Sequence, residues 1–242
     1  VPYITTQQDT WSIPRTSADE ILNNIAQNLT SVMDKLSDIK AGYIENVDGI
    51  AMPPRDLARV VLADIYMYQG KYAEAKALLS EIVSGNRYNL VSATNNIDID
   101  CSEIIWSQPP YTQTRTRAMA TTDVIVYNDN CIVKTYADVL LSLAECESKL
   151  GNDTQAKQYL SQVTSAKSIE TTSAETIAAI SEVRSKIQID FGGYFAFLKR
   201  TGLAQSTLGL EEYQLLFPIP QDQISMNPSM TQNPGYEGSV TR

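Results

Sequence analysis

The sequence predicts an all-α fold of tetratricopeptide-like helix pairs with long loops and an extended C-terminal tail. Three observations predict it. Apolar residues recur at three- and four-residue spacing over several stretches, the period of one helix face. Two of those stretches form helix–turn–helix units of about one tetratricopeptide length, each broken by a glycine. The two units also match at one fixed offset. Leu62-Ala63, Gly70, Ala75, Leu79 and Ile82 return as Leu143-Ala144, Gly151, Ala156, Leu160 and Val163, each 81 positions later, and Ala75-Lys76 returns as Ala156-Lys157.

Taken in order, the chain reads as a single domain over residues 1–242. A helix over 17–41 starts at the capping box Ser17-Ala18-Asp19-Glu20, where a hydroxyl and a carboxylate cover open backbone N–H groups. Ile21, Ile25, Leu29, Val32 and Leu36 form its apolar stripe, which ends near Gly42. Met52-Pro53-Pro54 is a loop whose second proline suits the first turn of a helix. The first helix pair covers 54–85. Leu57, Val61, Ile65 and Tyr68 line one face up to Gly70, and Tyr72, Ala75, Leu79 and Ile82 line the next up to Gly85. Ala63 and Ala75 are small where the helices must approach, while Leu62, Tyr66 and Leu79 fill the seam. Helical spacing assigns Tyr66, Tyr68 and Tyr72 to the core.

A loop-rich insert covers 86–130. It carries β-like runs at Ile104-Ile105-Trp106 and Val124-Ile125-Val126-Tyr127, and a turn-prone Gln108-Pro109-Pro110. Loops of this length inside compact domains are usually functional. The second helix pair covers 131–165. C-terminal helices and the tail occupy 173–242: Ile177, Ile180, Arg184, Ile187 and Phe191 share a face, and helix continues past Gly192-Gly193 to Arg200. From Phe217 the tail is proline-punctuated and extended.

Composition excludes several function classes. The chain has 28 Asp and Glu against 19 Lys and Arg, a net charge of −9, so phosphate backbones and anionic lipid surfaces are repelled. No Lys/Arg run offsets this, and nucleic acid is not an expected partner. Histidine is absent, which removes the commonest general base and the commonest zinc ligand together. Cys101, Cys131 and Cys146 show no C-x-x-C spacing; Cys146 reads as a small core residue, and a Cys101–Cys131 disulfide stays open. No phosphate-cradling glycine loop, nucleophile elbow or opposed carboxylate pair is visible, so no cofactor and no enzymatic activity are expected. No stretch approaches the roughly 18 apolar residues of a membrane-spanning helix. The chain opens Val1-Pro2-Tyr3, and the expectation is that a leader or a larger N-terminal part has been removed.

At the tail a resemblance emerges. Leu216-Phe217-Pro218-Ile219-Pro220-Gln221, Asn227-Pro228 and Thr231-Gln232-Asn233-Pro234-Gly235-Tyr236 resemble the C-terminal signature of the SusD/RagB family. Leu198-Lys199-Arg200-Thr201-Gly202 resembles its Leu-Lys-Arg-x-Gly stretch. Gly70-Lys71-Tyr72 through Tyr88-Asn89-Leu90 resembles its helix pair, and Glu103-Ile104-Ile105-Trp106 the Glu-x-Ile-aromatic run that follows. Val1-Pro2-Tyr3-Ile4 and Arg15-Thr16-Ser17 fit its lead-in. Two positions depart: Tyr194 and Phe197 stand where the family usually has an arginine and an acidic residue, so packing is expected to replace a polar tie. Members are commonly about twice this long, and the resemblance is to their later part. It implies an outer-membrane nutrient-binding lipoprotein of Bacteroidetes that hands oligosaccharides, or in some relatives peptides, to a SusC-like TonB-dependent transporter. The lipid anchor it implies is expected in the full-length precursor, ahead of Val1. The other class considered is a tetratricopeptide adaptor that binds protein, a use common among helix-pair stacks.

Sugar sites set exposed aromatic faces beside amides, carboxylates and arginines. On that basis the candidate ligand-binding residues are Tyr111, Arg115 and Arg117 in the insert, Trp106 at its apolar run, and Trp11 in an early loop. Functional residues concentrate on loops that a rigid scaffold positions. Asp98, Asp100 and Glu103 supply carboxylate oxygens, but without the glycine turn of a calcium loop they read as a solvated acidic loop.

Overall fold

Residues 14–38, 53–92, 102–108, 111–116, 122–127, 131–187 and 193–236 are described by the structure, a computed structural model of the chain. It is mostly helical. The chain divides into two units, residues 29–194 and residues 1–28 with 195–242.

In the larger unit the two helix pairs fall where the sequence repeat placed them. The first is α2 (Arg55–Tyr68) with α3 (Tyr72–Ser84), and the second is α4 (Tyr136–Lys149) with α5 (Asp153–Lys167). α3 also packs against α4, and α4 against α6 (Thr176–Lys186), which makes α4 the central helix. Both turns close by the same bonds. Gly70 N donates to Met67 O (3.1 Å) and Lys71 N to Tyr66 O (2.8 Å); Gly151 N donates to Ser148 O (3.1 Å) and Asn152 N to Glu147 O (2.8 Å). This is a Schellman closure, which needs a left-handed residue, and the glycines supply φ of +74° and +83°. The seam holds Ala63, Ala75, Leu79 and Ile82, all fully buried, and repeats as the buried Ala144, Ala156, Leu160 and Val163.

Three boundaries, and the buried face of α2, differ from the sequence reading. The first helix, α1, runs Ala18–Met33 and not to residue 41. Ser17 caps it as expected, accepting from Glu20 N at 3.2 Å. Its end is set from a distance: Arg55 donates to the Met33 carbonyl (3.0 Å) and the Asp34 carbonyl (3.2 Å), satisfying acceptors that a further turn would have used. The second pair begins at Tyr136, because 131–135 form a strand and Thr135 is the N-cap of α4, in a capping box with Asp138. The helical region after Ser173 is broken: α6 ends at Lys186 with Ile187 extended, and α7 (Gly193–Thr201) is separate. In α2 the buried positions include Ala58, Val60, Leu62, Ala63, Ile65 and Met67. Tyr68 turns outward at 48% exposure, and Tyr66 and Tyr72 are half-buried, so the core carries smaller side chains than the tyrosine spacing suggested.

Among the described residues, the insert and the segment that follows it form two antiparallel two-stranded ladders. β1 (Ile104–Gln108) pairs with β4 (Cys131–Thr135), and β2 (Tyr111–Thr116) pairs with β3 (Thr122–Tyr127). Cys146 is buried, as a small core residue should be. Cys101 lies outside the described residues.

The smaller unit explains the C-terminal signature physically. Gln232 uses both ends of its amide on Ile219, accepting from its N–H and donating to its carbonyl, each at 2.8 Å. Asn233 donates to the Phe217 carbonyl at 2.7 Å. Side chains thus stand in for a partner strand, and Pro218 and Pro220 remove two donors that would otherwise need one. Gly235 is left-handed (φ +85°), and a Cβ there would lie 2.5 Å from the Tyr213 ring, which packs edge-on against Tyr236. The tail from Phe217 is not wholly extended: it includes a short α9 (Gln221–Met226), and α8 (Ala204–Leu208) and a 3-10 turn (Glu212–Leu215) precede it. Phe197, the departure from the family pattern, is fully buried with the Arg200 guanidinium over its ring at 5.7 Å.

Candidate ligand-binding site

The insert is rooted at both ends on the helix-pair scaffold. Near its start, Tyr88 stacks on Tyr136, which follows the insert, with ring centroids 6.2 Å apart. Asn89 N donates to Ser102 O (3.2 Å), and Tyr136 N to Glu103 O (2.8 Å). Beneath these lies a fully buried ion pair. Lys167 at the end of α5 donates to Glu103 Oε2 (2.6 Å) and to the Val91 carbonyl (2.8 Å), while Val91 N donates back to the same Glu103 oxygen (2.8 Å). Residues 91 and 103 are thereby held to one ammonium.

A second network braces the base. Buried Asp56 accepts two bonds from Arg87 (both 2.8 Å) and one from Arg59 (2.8 Å). Arg59 continues to Glu81 (2.9 Å) and Asp38 (3.0 Å), and Asp38 also receives Arg55 (3.0 Å). The Arg59 hydrogen bond holds the Asp38 carboxyl below its ordinary range. Burial, reinforced by the Asp56 charge, pushes the Tyr88 phenol well above its ordinary value. These groups fix structure, and a charge held on several sides is poorly suited to trade protons.

Among the sequence candidates, Trp106 is half-buried in β1 opposite Lys134 of β4, and Lys134 pairs with Asp64 of α2 at 3.0 Å. Its indole nitrogen is buried with no hydrogen-bond partner among the described residues. Tyr111 and Arg115 occupy alternate register positions of β2, opposite Tyr127 and Asp123 of β3. Trp106 and Tyr111 therefore belong to different ladders. Arg117 and Trp11 lie outside the described residues, as do Asp98 and Asp100. Glu103, the third member of that acidic set, is committed to Lys167.

Two concavities escaped the sequence reading. One, of about 720 Å³, opens where Lys76, Glu147, Asn152 and Tyr159 meet, and the other, of about 390 Å³, lies between α5 and α6 among Ser161, Thr164, Thr171 and Ser173. Beside the second, Glu182 accepts from both the N–H and the hydroxyl of Thr172 (2.7 and 3.0 Å) and of Ser173 (N–H at 3.0 Å). These bonds, the Ser173 hydroxyl foremost, pull its carboxyl down to about 2.

Comparison with known proteins gives a consistent picture. A sequence profile of the SusD family matches residues 54–189. No curated protein sequence matches the chain. Among solved structures it is similar to surface glycan-binding protein A from Bacteroides fluxus (TM-score 0.75, 17% identity, 98% of this chain and 73% of that one). It is equally similar to a laminarin-binding SusD-like protein (TM-score 0.75, 18% identity, 98% and 74%). A SusD superfamily protein from Bacteroides thetaiotaomicron follows (TM-score 0.74, 17% identity, 97% and 70%). At such identities the likeness establishes the fold. The shared fraction of these relatives exceeds the half expected from sequence.

Proposed function

Because the chain belongs to the SusD family, we propose that it is a cell-surface glycan-binding protein that delivers oligosaccharides to a SusC-like TonB-dependent outer-membrane transporter. One observation carries this reading: the fold runs along 98% of the chain in common with two solved proteins named for glycan and laminarin binding. The insert supports it. Its ends are clamped to a rigid helical base, the arrangement by which scaffold-held loops present ligand-contacting residues. Tyr111, Arg115, Arg117, Trp106 and Trp11 are proposed as those contacts.

A binding role is favoured over catalysis because four of the five acids buried among the described residues, Asp56, Glu103, Asp138 and Glu147, are each paired with a lysine or arginine. None of these four stands free as an acid or base would. No described helix is long and apolar enough to cross a membrane, and a lipid anchor is proposed to hold the protein at the outer surface.

Affinity electrophoresis against polysaccharides, host glycans and immobilised peptides tests the proposal. Retardation by one glycan class is the expected result. Retardation by peptides alone would redirect the reading to a peptide-binding relative, and migration unchanged in every gel would contradict ligand binding.

A further inference from the structure

The two helix pairs repeat in backbone but not in chemistry at one place. At the 81-residue offset Tyr66 becomes Glu147, Lys71 becomes Asn152, Tyr72 becomes Asp153 and Leu78 becomes Tyr159. In the first pair the turn is stabilised by packing, with the Lys71 ammonium 5.6 Å from the centre of the Tyr66 ring. In the second a carboxylate takes the place of that ring and is almost completely buried. Its Oε1 receives Lys76 from α3 at 2.8 Å, and its Oε2 receives the Asn152 amide at 2.9 Å. The Glu147 hydrogen bond raises the Lys76 ammonium above its ordinary value.

Burying a carboxylate costs free energy that an aromatic ring at the same position avoids. The turn itself does not require it, since the first pair closes with identical backbone bonds. What the exchange produces is a polar floor, fixed by hydrogen bonds, beneath the concavity of about 720 Å³. Thr154, Gln155 and Tyr159 complete its rim, so groups from three helices face one space.

We propose that this junction of α3, α4 and α5 is a second saccharide subsite, which takes a neutral, hydroxyl-rich unit of the glycan. The proposal rests on the glycan-binding reading above. Its chemistry selects the ligand class. The amides of Asn152 and Gln155 and the hydroxyls of Thr154 and Tyr159 offer both donors and acceptors, as alternating sugar hydroxyls require. Lys76 is already paired with Glu147, and Asp153 adds a negative charge, so an anionic ligand is disfavoured. The volume lies in the range of small-ligand pockets and accommodates about two sugar rings.

The test is an NMR titration of the complete chain, observing backbone amides, with maltohexaose, laminarihexaose and the glycan identified by electrophoresis. The expected result is saturable shifts at Gly151–Gln155 and Tyr159, with Tyr159→Ala raising the dissociation constant read from them about tenfold. The rim double variant Thr154→Ala/Gln155→Ala, at one exposed and one half-buried position, gives the same readout while leaving the buried seam residues in place, and is expected to weaken binding likewise. Shifts confined to residues of the insert would overturn the subsite and leave the glycan reading standing. Variants that leave the dissociation constant at these amides unchanged would also overturn it. No shift anywhere with any probe would overturn both.

Discussion

Replacing Lys167 with methionine removes one ammonium while keeping most of the side chain's volume. In the native protein the Lys167 and Glu103 side chains are both 0% exposed and 2.6 Å apart. The variant leaves Glu103 buried with the Val91 N–H as its remaining donor among the described residues, and the Val91 carbonyl also loses a partner. Breaking one side of a buried pair in this way destabilises by about 3–5 kcal/mol. With a urea m-value near the upper end of the usual range, about 3 kcal/mol/M, the unfolding midpoint should fall by about 1–1.7 M. Urea titration followed by far-UV circular dichroism measures this directly. The double variant Glu103→Gln/Lys167→Met removes the stranded charge, so its loss should be clearly less than the sum of the single losses. A midpoint within about 0.2 M of wild type for Lys167→Met would refute the clamp.

Further outcomes follow from the same geometry. Asp56→Ala strands the Arg59 and Arg87 guanidiniums that converge on it and should destabilise by about 2–3 kcal/mol, read as a lowered urea midpoint. Glu182 titrates at about 2 in the folded chain against an ordinary 4.5. The unfolded chain therefore takes up the proton first, and the stabilisation is complete above about 4.5 and lost as pH falls towards 2. Glu182→Gln should accordingly show a smaller drop in urea midpoint between pH 6 and pH 3 than wild type. Tyr111→Ala should weaken glycan binding about tenfold with an unchanged melting temperature, and an unchanged affinity would remove Tyr111 from the site.

The helix pairs were legible because their determinants are local and repeated: glycines at the two turns, small residues at the close approach, one constant offset. What escaped was set at long range. The end of α1 depends on Arg55, 22 positions beyond the Met33 carbonyl it binds, and no local stop signal marks it. Strand β4 was read as helix because Ile132 and Val133 run into the apolar pattern of α4. The boundary signal was nevertheless present, as Thr135-Tyr136-Ala137-Asp138 is a capping box. The Glu103–Lys167 pair spans 64 positions and leaves no periodic trace. The C-terminal signature was legible as a pattern but not as a mechanism, since only the structure shows Gln232 and Asn233 bonding the backbone at 217–219. For the site, sequence indicated the insert and its aromatic and basic residues. The junction at Glu147 was not legible, because a glutamate in a helix pattern reads as solvated and its burial depends on Lys76 of α3, 71 positions away.

The most direct test of the account incubates the complete chain with a fluorescently labelled oligosaccharide of the class found by electrophoresis. Retention on the protein and the length of the recovered glycan are then measured together. The account predicts saturable retention and full-length recovery, as for a protein that binds and passes on its ligand. Absence of retention, or recovery of shortened product, would contradict it.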